Sequence, residues 1–389
     1  MKILFAMYNM EIGGTRRSLL NLLEKMTQSG VQCDLLLFSP YGEFMDQIPS
    51  GVRVLHGGIV MQSIYATKQT LKRYAPSYLV AVKAVQKVAK KIIGAKRLHE
   101  HVLQSYAKRY LNHHDYDAIV AFQEGDCVKF ITYVPASCRL AWIHNDYGNL
   151  QGEQRGTPEM FAKLKAILFV AEGTRQTFVE KYPQFAAKMQ VIPNVLPQRW
   201  IRDNALEVHS EHVFQDPERI HIVSVGRVTR QKAFERIPEV MEQLGTLSER
   251  IEWAVIGDGP NLARLRDDIA ERNMQDYVHA IGAWNNPFPI VKQADLYVLT
   301  SLYESQPMVV MESLTLGVPV LSTDFSSVRE LLGGKSYGSI CENSVDGLVE
   351  SLRMLIESPG TICAMQQSAG EYKYDNEAIV SRIIELIKQ

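Results

Sequence analysis

The sequence has no Cys-x-x-Cys pair, and its five cysteines (Cys33, Cys127, Cys138, Cys341, Cys363) are scattered and odd in number. That pattern excludes a disulfide scaffold, speaks against a zinc site and suits reduced thiols. Nor does either charge dominate: 42 Lys+Arg stand against 43 Asp+Glu, a formal net charge of -1. Such a balance argues against a chromatin-style binder and leaves room for a local basic patch. No apolar run approaches the roughly 18 residues that would cross a bilayer. The apolar start, MKILFAMYNM, is too short for a signal h-region, and Glu11 and a glycine pair follow where a small-residue cleavage site would stand. The sequence therefore predicts a cytoplasmic protein that would meet a membrane only from its surface.

What is present is a core. With 389 residues, 46% hydrophobic and 22% charged, the chain has material for two globular domains. Short β-branched apolar runs alternate with longer amphipathic stretches. Ile3–Met7, Leu35–Phe38, Ala118–Phe122, Leu140–Ile143 and Ala166–Val170 read as buried strands, and Ser18–Met26 as a helix after Gly13-Gly14. A second series follows. Its strands are Ile220–Val225, Glu252–Ile256, Val278–Ile281, Leu296–Leu299 and Val318–Ser322. Its helices are Ala233–Leu244, Asn261–Asn273, Ile290–Gln293 and Met308–Leu316. The alternation predicts an α/β chain with two doubly wound parallel sheets, and ligands at the carboxyl ends of their strands. Residues 198–217 are polar and read as a linker between a first domain, 1–197, and a second, 218–375.

One stretch departs from neutrality. Between Lys68 and Arg109 the cations Lys72, Arg73, Lys83, Lys87, Lys90, Lys91, Lys96, Arg97 and Lys108 face only Glu100. Leu79, Val82, Val85, Val88, Ile92 and Ile93 recur among them at helical spacing. This is the pattern of a basic amphipathic helix at an anionic membrane surface, or of a solvated helix packed on the sheet.

Two constellations suit ligand chemistry. Strand Ile220–Val225 runs into Gly226-Arg227 and on to Lys232 at the start of a helix. Two cations ahead of a helix oppose its dipole unless an anion joins them, so the loop is either a diphosphate site or a solvated basic turn. Downstream, Glu304 and Glu312 flank Pro307-Met308-Val309. A carboxylate accepts from paired hydroxyls, and free N–H groups at a helix start suit sugar oxygens or phosphate, although two glutamates at this spacing are also common on surfaces.

Taken in order with Val255-Ile256-Gly257-Asp258-Gly259-Pro260, Ala294–Ser301 and Gly317-Val318-Pro319-Val320, these blocks resemble the donor domain of retaining family 4 glycosyltransferases. Gly13-Gly14, Ala141-Trp142-Ile143-His144, Phe169–Thr174 and Val191–Asn194 extend the resemblance over nearly the whole chain. The resemblance implies the GT-B fold, two Rossmann-like domains facing across a cleft, with residues 376–389 crossing back onto the first domain. It implies sugar transfer from a nucleoside diphosphate sugar, expected to be a UDP-sugar, to a glycan or lipid-linked acceptor in surface polysaccharide or glycolipid synthesis. Gly14, Gly226, Arg227 and Lys232 would meet the donor diphosphate, and Ala283 and Trp284 its base. Glu312 would hold the ribose, and Glu304, Met308 and Val309 the sugar or phosphate. Trp284 serves equally well as a rim aromatic. His144, at a strand end, would contact the donor sugar or position the acceptor, although a lone histidine there also serves as a structural residue, and Glu124, at another strand end, is a candidate acceptor-site carboxylate. Arg227, Lys232, Glu304 and His144 form the expected catalytic set, with no cofactor and no metal. The Asp115-Tyr116-Asp117 triplet precedes a strand and reads as a turn. A phosphorylase or epimerase on the same fold, and a sugar-binding protein without catalysis, are the competing expectations.

Overall fold

The computed structural model describes residues 1–11, 13–65, 82, 84, 87–88, 91–92, 94–110, 115–145, 147, 156–207 and 213–389. They form two compact units, Met1–Val195 with Asp375–Gln389, and Leu196–Tyr374.

Among the described residues the first unit is built on a parallel sheet of β1 (Lys2–Met7), β2 (Gln32–Leu37), β3 (Arg53–His56), β4 (Ala118–Ala121), β5 (Arg139–Ile143), β6 (Ala166–Phe169) and β7 (Met189–Val191). Their order is β3-β2-β1-β4-β5-β6-β7. The second unit repeats the plan. Its strands are β8 (Ile220–Val225), β9 (Ile251–Ile256), β10 (Val278–Gly282), β11 (Leu296–Leu299), β12 (Val320–Thr323) and β13 (Gly338–Cys341), in the order β10-β9-β8-β11-β12-β13. Strand order reverses between β1 and β4 in one sheet and between β8 and β11 in the other. These are the two switch points, where the loops of neighbouring strands part and leave a crevice. The central strands are buried on both faces, which is why they read as continuous apolar runs. The short edge strands β3 and β13 are half exposed and carry no such run, so the sequence pattern passes over them.

The stretch read as a linker is structured at its start. Residues Gln198–Asn204 form a helix of the second unit, and Ile201 and Ala205, four apart, pack with Leu196, Phe288 and Met311. A single apolar face inside a charged sequence is enough to dock one short helix. At the chain's end the helix Asn376–Lys388 belongs to the first unit. Glu377 there pairs with Lys25, and Lys165 Nζ donates to Ile387 O at 3.4 Å.

Much of the basic segment lies outside the described residues: Lys68, Lys72, Arg73, Leu79, Lys83, Val85, Lys90 and Ile93. Its latter part is the helix Ala95–Tyr110. Leu103, Tyr106 and Ala107 on this helix enter the sheet's core, and Tyr106 Oη donates to His56 O at 2.6 Å. That part is therefore a packed layer of the first unit. The exposed portion differs: Val88 and Ile92 are 58% and 76% exposed, with Lys87 and Lys91 exposed beside them. No helix among the described residues is long and apolar enough to cross a membrane.

Ile201→Ala is expected to lower the stability of the second unit by about 2–5 kcal/mol, the range for emptying a buried aliphatic site. Urea unfolding checks this. A change below about 0.5 kcal/mol would return the segment to the role of a loose linker.

Candidate active site

The second unit's switch point is built from the loops after β8 and β11. Backbone pairing of β11 to β8 ends at Tyr297↔Val223. Beyond it the Tyr297 hydroxyl fills in, accepting from Val225 N at 3.1 Å and donating to Val225 O at 3.0 Å. Burial, with Glu312 and Glu304 nearby, raises this phenol's pKa, so it stays protonated and both carboxylates act on one spot.

Lys232 and Glu304 meet across the same gap, with Nζ 2.6 Å from Oε1 and side chains only 15% and 13% exposed. Their loops are tied as well. Leu302 N donates to Gln231 O at 2.8 Å, Thr300 Oγ1 to Lys232 O at 2.6 Å and Gln231 Nε2 to Tyr303 O at 2.9 Å. Ser301 Oγ donates to Glu304 Oε1 at 2.9 Å, and Ser327 Oγ to Glu304 O at 2.7 Å. Asn343 Nδ2 gathers Ser301 O, Leu302 O and Asp324 O within 3.2 Å. Sequence reading missed Gln231, Ser301, Ser327 and Asn343. Ser301 could have been found from its place just before Glu304 in the sequence; Gln231, Ser327 and Asn343 are far from it and gave no signal.

Gly226 lets the lysine lie back over the turn, since a Cβ there would stand 2.9 Å from Lys232 Cε. Gly257 does more. Its φ is +151°, and a Cβ would strike Gly226 O at 1.8 Å. The Gly257-Asp258-Gly259 block is thus the lid that packs on the Gly226 turn, tied by Gly226 N→Ile256 O and Val228 N→Asp258 O. Arg227 is exposed at that turn and shows no ion pair among the described residues.

Glu312 is half-buried on the helix Met308–Thr315. At this helix start Met308 N already donates to Gln306 O at 2.9 Å, so of the two N–H groups expected to serve a ligand, Met308's is occupied. Val309 keeps a first-turn N–H with no carbonyl four residues back in the helix. Ala283 is exposed, while Trp284 is half-buried and packs against the second unit's core, as a rim aromatic does.

The first unit's switch point also uses a tyrosine. Tyr8, just past β1, donates its hydroxyl to Glu124 O at 3.0 Å and accepts from Asp126 N at 2.6 Å. Glu124, after β4, is buried. Its Oε1 accepts from His144 N at 2.6 Å and Asn145 N at 2.8 Å, and its Oε2 from Asn145 Nδ2 at 3.2 Å. The expected acceptor-site carboxylate therefore spends its oxygens on the turn after β5, where it fixes the position of His144. Burial raises its pKa, partly offset by those donors. His144 stacks on Trp142 and lies 4.5 Å from Phe122, ring to ring. Its pKa is pushed down to about 3, first by burial and then by the charge of Arg16. Gly14 opens the helix Gly14–Gln28, and a Cβ there would meet nothing within 4 Å, so its own unit does not require glycine. Asp117, from the Asp-Tyr-Asp triplet, accepts from Lys2 N at 2.6 Å and Tyr116 Oη donates to Asp34 Oδ2 at 2.7 Å, which makes the triplet a strand-start clamp.

Residues 207–376 match the family model for glycosyl transferases group 1. The second unit belongs to that family. An uncharacterized glycosyltransferase of Methanocaldococcus jannaschii, MJ1059, is 27% identical over 177 residues, 44% of this chain and 43% of that protein. The Campylobacter jejuni N-acetylgalactosamine-N,N'-diacetylbacillosaminyl-diphospho-undecaprenol 4-alpha-N-acetylgalactosaminyltransferase is 23% identical over 250 residues, 64% of this chain and 66% of that protein. The match to these curated relatives thus spans less than two thirds of their own length. The crystal structure of Anabaena Alr3699/HepE in complex with UDP aligns over all of both chains with a TM-score of 0.71 at 15% identity. That likeness shows the fold: both Rossmann-like units follow the GT-B plan.

The His144 shift has a sign. Its folded pKa lies below the unfolded value near 6.5, so between about pH 6.5 and 3 the unfolded chain binds the extra proton. The stability that its neutral burial contributes is complete above that window and is lost as pH falls through it, by an amount on the order of a few kcal/mol. Glu124, shifted upward, works in the opposite direction. In thermal melts the stability gap between wild type and His144→Gln is expected to narrow as pH falls from 6.5 to 4. A constant gap would refute the assignment of a neutral imidazole.

Proposed function

We propose that the protein is a retaining, family 4 type glycosyltransferase. It moves a sugar from a UDP-sugar to a hydroxyl of a glycan or lipid-linked acceptor in polysaccharide or glycolipid assembly. The observation that carries this reading is the Lys232–Glu304 pair across the β8–β11 switch point, beside the exposed Arg227, in the stretch that matches the family. Arg227 offers a guanidinium fork and Lys232 a point charge to the two phosphates, and together they stabilise the charge that grows on the leaving diphosphate. They fill the part that a metal ion takes in other transferases. The UDP-bound neighbour, and the undecaprenol-linked acceptor in the Campylobacter relative's name, support the choice of donor and acceptor class.

The step is a front-face substitution. The acceptor hydroxyl oxygen bonds to C1 as the C1–O bond to the diphosphate breaks, and its proton passes to the departing phosphate oxygen. Glu304 and Glu312 act as hydrogen-bond acceptors, for the sugar and the ribose. Neutral His144 holds a hydroxyl through its ring nitrogen.

Arg227→Ala and Lys232→Ala are each expected to cut kcat by about 100-fold or more, Arg227→Ala with melting unchanged within a few degrees and Lys232→Ala with a lowered Tm, because it leaves the shielded Glu304 carboxylate unpaired. The measurement is release of UDP from a panel of UDP-sugars with and without acceptor. Near-normal turnover in either variant would sink the diphosphate assignment.

The exposed Val88 and Ile92, flanked by Lys87 and Lys91, support peripheral binding at an anionic inner membrane face. Val88→Ser/Ile92→Ser is expected to lower sedimentation with phosphatidylglycerol vesicles several-fold and leave the weak binding to neutral vesicles as it was. Equal, weak binding of the wild type to both would count against the membrane role.

A further inference from the structure

The first unit contains a cation that the donor chemistry above does not use. The first turn of the helix Gly14–Gln28 holds Arg16 and Arg17 and no acidic residue. Both charges stand at the positive end of the helix dipole, where a cation is unfavourable without an anion. Arg17 turns outward, donating to Gln47 Oε1 at 2.8 Å and lying 4.4 Å over the Phe44 ring. Arg16 turns inward. Its Nη2 donates to Asn9 Oδ1 at 3.0 Å, and its Nε is buried without a hydrogen-bond partner. Burial lowers the Arg16 pKa, with Glu11, Cys127, Glu124 and Tyr8 pulling the other way, so the charge is held in a poorly solvated place.

A second observation comes from the strands opposite. His144 is only 7% exposed, and its Nε2 has no partner. Gln123 Oε1, one residue before Glu124, is likewise buried without one. Arg16, Gln123 and His144 follow β1, β4 and β5, which are neighbours in the sheet, and Arg16 is near enough to His144 to act on its ring electrostatically. Buried polar atoms are almost always satisfied, and an arginine Nε and an imidazole Nε2 left open near one another, with the Gln123 oxygen open on the neighbouring strand end, describe a ligand's place. Glu124 is the nearby anion, and its oxygens are engaged by the 144–145 turn. The open groups are an arginine N–H for an anionic oxygen, and an imidazole and an amide for hydroxyls.

We propose that these strand ends take an acceptor bearing an anionic oxyacid group, a phosphate or a sugar carboxylate, close to the hydroxyl that is glycosylated, with Arg16 as the residue that recognises the charge. The inference rests on the acceptor-side reading of the first unit and narrows it to acidic acceptors. The guanidinium binds the anion through Nε–H, and the hydroxyl beside it reaches His144 Nε2 and Gln123.

The test uses the full chain and isothermal titration with inorganic phosphate, methyl α-D-glucuronide and the uncharged methyl α-D-glucoside. Arg227→Ala/Lys232→Ala serves as background, so that phosphate is not read at the donor half. The anionic probes are expected to bind about tenfold more tightly than the glucoside, the size of one charge-assisted hydrogen bond. Adding Arg16→Gln should remove the preference, and Arg16→Lys should retain part of it. Phosphate binding more tightly than glucuronide assigns the anion to a phosphate, and the reverse order to a uronic acid. UDP should bind Arg16→Gln as it binds wild type. No charge preference, or one that survives Arg16→Gln, overturns the proposal. So does a loss of UDP affinity in Arg16→Gln as large as in Arg227→Ala, which would place Arg16 on the donor. If UDP fails to bind the wild type, the donor reading falls, and the probe titrations still decide the role of Arg16.

Discussion

Both units depend on one constraint: at a switch point two neighbouring parallel strands must part, and the backbone groups they leave must be satisfied without closing the gap. Each unit meets it with a tyrosine hydroxyl. Tyr297 bonds both polar groups of Val225, and Tyr8 ties Glu124 O to Asp126 N. A phenol suits the place because its ring belongs to the core while its hydroxyl both donates and accepts. The crevice stays open because the span is bridged by a side chain rather than by a further residue of pairing. Arg227 and Lys232 stand on the loop after β8, Glu304 on the loop after β11 and Glu124 on the loop after β4.

The second unit adds a charge pair to the bridge. Lys232 and Glu304 are mostly shielded, and each also has its loop fixed through backbone bonds. Such a pair is weak evidence for stability, because desolvation offsets much of the attraction. It is better evidence for a prepared site. The lysine is held at a known place, folded over a glycine, before any anion arrives. The Gly257 lid shows how tightly the surroundings are fitted, since even a methyl group there would overlap the Gly226 carbonyl.

The sheets were legible because their central strands are buried on both faces and so appear as unbroken apolar runs. The edge strands β3 and β13 were not, because half-exposed strands of four residues carry no such run. The helix Gln198–Asn204 was hidden for a related reason: its docking face is Ile201 and Ala205 alone, within a stretch whose other residues are mostly polar. For the site, spacing pointed to Arg227, Lys232, Glu304 and Glu312, and the structure brings Lys232 to Glu304, while both carboxylates act electrostatically on the Tyr297 phenol. Spacing could not show that Met308's N–H is spent within its own turn, or that Glu124 is consumed by the residues it positions. Those facts depend on hydrogen bonds between segments far apart in sequence or on the local path of a loop.

The near-zero net charge is an average over unlike places, and the placement of individual cations carries the functional argument. Arg227 is exposed, Lys232 is neutralised by Glu304, and Arg16 is half-buried against a helix dipole. On the donor reading, these states imply an order of events. A diphosphate meets Arg227 first, with little desolvation to overcome. Lys232 is reached only in competition with Glu304, so each increment of phosphate contact loosens the carboxylate and frees it for a sugar hydroxyl. A donor lacking one phosphate would bind Arg227 without completing that exchange. On that same reading, selection for the diphosphate would come from the ion pair that the ligand must displace, and a site with two free cations would discriminate less.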